Sequence, residues 1–152
     1  MKNIILDIQI ACSNKIYRPE KKDFEIWLKK ILKDKKKMYE ITIRIVDKTE
    51  IQEMNLKYRG KKKPTNILSF TYSENEKKSV IFLGDLIICN TILQEEAKIQ
   101  KKLLKSHWAH IIIHGTLHLL GYNHENHIQQ KKMEFLETNI MLALGYQNPY
   151  LF

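Results

Sequence analysis

All six histidines of this 152-residue chain lie between His107 and His127. Within "HIIIHGTLHLLGYNH" (110–124) they interrupt one of its most apolar stretches. Laid on a helix at 100° per residue, His107, His110, His114 and His118 share an arc of about 80°. Trp108, Ala109, Ile111, Ile112, Ile113, Leu117, Leu119 and Leu120 occupy the rest of the circumference. A helix this apolar belongs in a core, and its one polar stripe must face a group that satisfies it, because an unpaired buried imidazole costs free energy. His114 and His118, four residues apart, project side by side and can grip one ion. Gly121 follows three residues later and suits a left-handed exit that doubles the chain back, bringing His124 to the pair. Three neutral imidazoles and one open position describe a hydrolytic zinc site, whose fourth place a water fills and ionises near neutral pH. No turn aims His107 or His110 at His124, so both read as hydrogen-bonding groups beside the site. His127 reads as a surface or capping residue.

The spacing H-x3-H-x2-G-x2-H is that of the metzincin peptidases, H-E-x-x-H-x-x-G-x-x-H. Where those enzymes place a glutamate as general base, this chain has Gly115. Glycine neither takes nor gives a proton, so peptide hydrolysis by that route is disfavoured. The ion cage is kept without its base.

Several elements are needed to position such a cage. The length suits one domain with a real core, and an apolar fraction of 43% argues against disorder. "IILDIQIA" (4–11) and "YEITIRIVD" (39–47) alternate as strands. "TNILSFTY" (65–72) and the very apolar "VIFLGDLIIC" (80–89) supply two more. Between them, "RPEKKDFEIWLKKILKD" places Phe24, Trp27, Leu28, Ile31 and Leu32 at helical period. "KTEIQEMNLKYRG" reads as a short helix with Thr49 as N-cap and Gly60 at its end. "SENEKKS" (73–79) reads as a polar loop. The chain then turns helical through "NTILQEEAKIQK", "KSHWAHIIIHGTLHLL" and "NHIQQKKMEFLETNIMLALG". This order predicts a single-domain α+β fold, a mostly four-stranded mixed sheet covered by helices, with a buried metal-binding helix. Asp85 inside an apolar strand needs a partner, more readily a charge or a helix start than a metal. The run "KKILKDKKK" reads as the exposed face of a helix end.

Lys and Arg number 26 against 17 Asp and Glu, a formal charge of +9 with pI near 9.4. That surplus makes nucleic acid or an anionic surface a fitting partner, although biased composition alone produces the same number. Cys12 and Cys89 form no CxxC and indicate neither a disulfide framework nor a cysteine-based zinc site. No signal peptide and no membrane span is legible, so a soluble, cytoplasmic protein is expected.

"HGTLHLLGYNH" (114–124) resembles the signature H-G-x-L-H-L-x-G-Y-D-H of the YbeY family of bacterial rRNA maturation factors. "YRGKKKPTNILSF" (58–70) is similar to that family's R-x-x-D-x-x-T-[DN]-V-L-S-F, and "LGDLIIC" (83–89) to the strand before its helical half. "HWAH" (107–110) falls in the matching place, and the first forty residues agree in general pattern only. The resemblance implies a metal-dependent endoribonuclease acting on single strands, in maturation of the 3' end of small-subunit (16S) rRNA and in ribosome quality control. Its partners are then rRNA and the small ribosomal subunit, with no membrane; oligomeric state stays open. It also implies one Zn2+ per chain, or another divalent transition metal, on His114, His118 and His124, and it places the family's functional arginine on Arg59.

Two positions depart from the pattern: Asn123 and Lys62 stand where the family has Asp. Asn123 cannot serve as an anionic orienting group, which puts the tuning of the site in question. Joining the two motifs, a water or a 2'-hydroxyl activated near the ion attacks an RNA phosphodiester while Arg59 stabilises the charge that builds up. Lys61, Lys62 and Lys63 would hold the backbone of the strand, or form a solvated loop. Tyr58 or Phe70 could stack a base. Thr65 and Ser69 read equally as substrate contacts or plain strand residues. Two other classes stand beside the ribonuclease: a ribosome-assembly RNA-binding factor with a structural or vestigial zinc site, and a metallopeptidase, which Gly115 disfavours.

Overall fold

A computed structural model describes residues 3–72 and 80–151. The polar loop expected at 73–79 lies outside the described residues. Among the described residues, four strands and five helices follow one another. These are β1 (Ile4–Ile10), α1 (Lys21–Ile31), β2 (Met38–Val46), α2 (Lys48–Arg59), β3 (Ile67–Thr71), β4 (Val80–Cys89), α3 (Asn90–Gln100), α4 (Leu104–Leu119) and α5 (His127–Ala143). The sheet order is β1-β2-β4-β3, with β1, β2 and β4 parallel and β3 antiparallel to β4. This is the expected α+β architecture with a mixed four-stranded sheet. No helix among the described residues is long and apolar enough to cross a membrane.

Strand alternation divides the sheet into two faces. Ile41, Ile43 and Ile45 of β2, with Leu86 and Ile88 of β4 and Ile67 of β3, join Phe24, Trp27 and Leu28 of α1 and Trp108, Ile112 and Ile113 of α4 in the main core. Leu68, Val46, Ile87 and Cys89 point the other way and form a smaller cluster with Ile51 of α2. Phe24 meets Trp27 and Trp108 edge to face, at 5.7 and 6.0 Å between ring centroids, a geometry aromatic quadrupoles favour. The core therefore packs α4 against both the sheet and α1.

Four local expectations are corrected. Thr49 is not the N-cap of α2; Asp47 is, because its carboxylate is engaged by Ser13 and Asn14 at 2.6 to 2.9 Å, which fixes the chain at that position. α1 ends at Ile31, so much of the lysine run lies beyond the helix. There Asp34 accepts from the Lys36 amide at 3.0 Å, an Asx-type turn that competes with helix. β3 is shorter than 65–72, leaving Thr65 and Asn66 outside the ladder. Asp85 finds the Tyr72 hydroxyl at 2.9 Å, a neutral donor instead of a charge or a helix start.

Gly115 has a packing reason. A Cβ built there would stand 2.6 Å from Ile67 Cδ1, 2.9 Å from Leu86 Cδ2 and 3.3 Å from Ser69 Oγ. α4 lies so close to β3 and β4 that this position faces the sheet, and a longer side chain there has no room. Gly115→Ala is therefore expected to lower stability by about 1–3 kcal/mol through overpacking, against a helix-propensity gain of up to about 1 kcal/mol. Thermal unfolding checks this: a raised Tm would mean that α4 moves off the sheet at little cost.

Candidate metal centre

The end of α4 explains how three histidines converge. Gly121 adopts φ +100°; its amide donates to the His118 carbonyl at 3.0 Å, and the Tyr122 amide donates to Leu117 O at 3.0 Å. This pair of bonds is a Schellman closure, which satisfies the last carbonyls of the helix and reverses the chain. His124 is thereby carried back over the face of α4. The ring centroids of His114, His118 and His124 lie 4.6 to 5.5 Å apart. One donor atom from each lies within 4.8 Å of the others.

Hydrogen bonds at the outer nitrogens decide which nitrogen faces inward. His118 Nδ1 lies 3.0 Å from the Tyr122 carbonyl, which only accepts, so the proton is on Nδ1. His114 Nδ1 lies 2.5 Å from the Glu137 carboxylate, so its proton is there too. In the neutral rings both Nε2 atoms then carry lone pairs, yet they face one another at 3.0 Å. Two such lone pairs repel unless a proton or a metal cation lies between them. Donors bound to one Zn2+ at about 2.0–2.1 Å in a tetrahedral array sit about 3.3 Å apart, close to the 3.0 Å between the Nε2 atoms of His114 and His118. The triad could hold a metal ion, and its donor set and tautomers fit one.

The electrostatics agree. Burial, then the neighbouring His114 and His124 rings, push His118 down to a pKa of about 4 and keep it neutral. Burial also lowers His110, against the opposing pull of Glu137. Burial opposes ionisation of Glu137 itself, but contacts with His110 and His114 and the Tyr150 hydroxyl outweigh it and hold the carboxyl at about 2. Both shifts have the same consequence for the metal-free protein. As pH falls, the unfolded chain takes up each proton first, so the His118 contribution fades between about pH 6.5 and 4. The Glu137 contribution, about 3 kcal/mol, is whole above about pH 4.5 and gone below about 2. Urea midpoints of chelated protein should fall steadily from pH 7 to pH 3, with the acid limb flatter in Glu137→Gln; a flat wild-type profile contradicts this.

The triad opens onto a cleft of about 500 Å³ whose walls include Arg59, Thr65, Asn66, Ser69, Thr71 and Asn123. Arg59, the last residue of α2, thus shares one cleft with His114, His118 and His124, although 55 positions separate it from His114 in sequence (114 − 59). Lys61, Lys62 and Lys63 are exposed and do not line that cleft. Their loop is pinned by buried Asn55, which donates to the Lys63 carbonyl at 2.8 Å and accepts the Lys61 amide at its own carbonyl, 3.3 Å. Phe70 packs in the smaller cluster on the opposite face of the sheet, edge-on to Tyr58 at 5.2 Å; Tyr58 is the exposed member. His107 bonds Glu96 at 3.0 Å, and Glu96 also accepts from Asn66, so this histidine braces a wall of the cleft. His110 Nε2 lies 3.4 Å from Glu137, in contact without hydrogen-bond geometry. His127 is exposed in the first turn of α5, whose cap is Asn126, accepting from the Gln129 amide at 2.8 Å.

Glu137, Tyr150, Asn66 and Thr71 escaped the reading of the sequence. Glu137 left a signal: it falls midway between Met133 and Met141 on the buried stripe of α5, a carboxylate where the period demands an apolar side chain. It also bears on the replacement of Asp by Asn123, since an anion that orients His114 comes from α5.

The family model described as "Endoribonuclease YbeY" matches residues 9–145. Among solved structures, the solution structure of TM1509 from Thermotoga maritima is similar over 95% of this chain and 99% of that chain. Its TM-score is 0.55 at 23% identity, a likeness of fold.

Proposed function

The chain belongs to the YbeY family of endoribonucleases, and from that premise we propose that it is a zinc-dependent endoribonuclease cutting single-stranded RNA at the His114–His118–His124 centre. Its proposed role is maturation of the 3' end of small-subunit rRNA and ribosome quality control in the cytoplasm. The observation that carries the reading is the pair of Nε2 atoms 3.0 Å apart on the wall of a cleft that also contains Arg59.

A divalent cation bound by the three rings supplies Lewis acidity toward a phosphoryl oxygen and toward the attacking water or 2'-hydroxyl. Arg59 offers a planar fork of N–H donors to the remaining phosphoryl oxygens, where charge accumulates as the phosphorus becomes five-coordinate. Ser69, Thr65 and Thr71 present hydroxyls along one wall, and Asn66 and Asn123 present amides, groups suited to sugar and phosphate oxygens. The exposed Lys61, Lys62 and Lys63, beside Arg59, attract the approaching strand through its phosphates. Their position outside the cleft supports a second reading, an assembly factor that binds rRNA through this loop and keeps its metal for structure alone.

Incubating zinc-loaded protein with single-stranded rRNA precursor, beside a chelated sample, separates the two. Cleavage confined to the loaded sample is expected. RNA binding in both samples with cleavage in neither leaves the assembly factor as the function.

A further inference from the structure

We propose that Tyr150 and Glu137 are positioning residues of the metal centre, Tyr150 directing the buried carboxylate to His114 and away from His110. This rests on the reading of the triad as a metal site. Glu137 has no solvent exposure, and its two oxygens face different partners: Oε1 meets His114 Nδ1 at 2.5 Å, and Oε2 accepts from the Tyr150 hydroxyl. His110 is a rival for the same carboxylate. Its Nε2 is 3.4 Å from Oε1, and among the described residues neither of its ring nitrogens has a partner in hydrogen-bond geometry. A buried imidazole without partners gains by capturing a carboxylate, so something must hold Glu137 in place. Tyr150 does so twice over. Its hydroxyl holds Oε2, and its ring stands edge-on to His110 at 5.3 Å, limiting where that imidazole can turn.

The segment that delivers Tyr150 is tied down along its length. Gly145, at φ +89°, reverses the chain after α5, with the Tyr146 amide donating to Met141 O at 3.0 Å. The Tyr146 hydroxyl accepts from Trp27 Nε1 at 3.2 Å, the Pro149 carbonyl accepts from Lys102, and the Tyr150 amide donates to Asn148 Oδ1 at 2.9 Å. Docking of residues 145–150 thus fixes the carboxylate. The carboxylate keeps the His114 proton on Nδ1 and the lone pair on Nε2, toward His118. Groups one bond removed from a metal ligand commonly change affinity by 10–100-fold when lost.

The test uses the full chain. Zn2+ affinity is measured by competition with a chelator, and the ligand-field spectrum of the Co2+-loaded protein is recorded. The variants are Tyr150→Phe, Glu137→Gln, Tyr146→Phe and His124→Ala. Tyr150→Phe and Glu137→Gln should each weaken Zn2+ about tenfold or more and alter the Co2+ bands. Tyr146→Phe, which loses one tie of the same segment but leaves both partners of Glu137 in place, should weaken Zn2+ less than either. Wild-type affinity and spectrum in Glu137→Gln overturn the proposal, as does equal weakening by Tyr146→Phe. Should Tyr150→Phe not fold, Glu137→Gln decides between them. His124→Ala keeps the two levels apart: undiminished binding in it refutes the metal site itself, whereas binding lost there but intact in Tyr150→Phe refutes only the role of Tyr150.

Discussion

Replacing His118 by alanine is expected to abolish retention of zinc and, with it, cleavage of RNA. The ring is one of the three candidate donors, and it is the one whose Nε2 faces the His114 Nε2 at 3.0 Å. Complete zinc sites in small domains contribute about 10–16 kcal/mol, so a single ligand carries about 3–4 kcal/mol, a few hundredfold or more in affinity. The loss also shows in stability. A ligand present at about a thousand times its Kd adds about 4 kcal/mol to folding. At about 2–4 °C per kcal/mol for a chain of this size, chelation should lower the Tm of the loaded wild-type protein by roughly 10 °C. The Tm of His118→Ala should not respond to the chelator. The double comparison is diagnostic, because a variant that is merely less well folded would still respond. An undiminished chelator shift in His118→Ala refutes the triad as the metal site.

The triad was legible from sequence because every residue that brings it together is local. His114 and His118 share one turn of helix, Gly121 closes that helix, and His124 follows within three residues. Periodicity and turn chemistry suffice at that range, and the same reasoning placed all four strands. Glu137 and Tyr150 were not legible in the same way, since their meeting with His114 depends on how α5 packs on α4 and how the chain reverses at Gly145. Spacing carries no information about such contacts, although a carboxylate between Met133 and Met141 should have prompted a search for its partner. Gly115 illustrates the converse. The motif exposes the base it lacks, whereas its packing against Ile67 and Leu86 depends on how closely α4 approaches the sheet, which spacing does not encode. Thr49 lost its expected cap position because Ser13 and Asn14, over thirty residues earlier, hold Asp47.

Arg59→Lys should separate chemistry from binding. Arg59 lies on the wall of the histidine cleft, at the end of α2, just before the left-handed Gly60 that turns the chain into the lysine loop. If its guanidinium grips two phosphoryl oxygens at once as charge builds on them, an ammonium keeps the charge and loses the fork. Removing a donor that acts chiefly in the transition state commonly costs about 3 kcal/mol, roughly a hundredfold in rate. RNA affinity, by contrast, is dominated by the number of phosphates neutralised, which the substitution preserves. The expected result is single-turnover cleavage slowed about a hundredfold, with an RNA Kd and a salt dependence close to wild type. Substituting Lys62 by alanine should do the reverse, weakening binding and flattening its salt dependence while the rate from the bound state holds. Equal losses of rate and affinity in Arg59→Lys would reduce Arg59 to a tether, and the transition-state charge would then need another donor in the cleft, with Asn66 and Asn123 the groups placed to supply it.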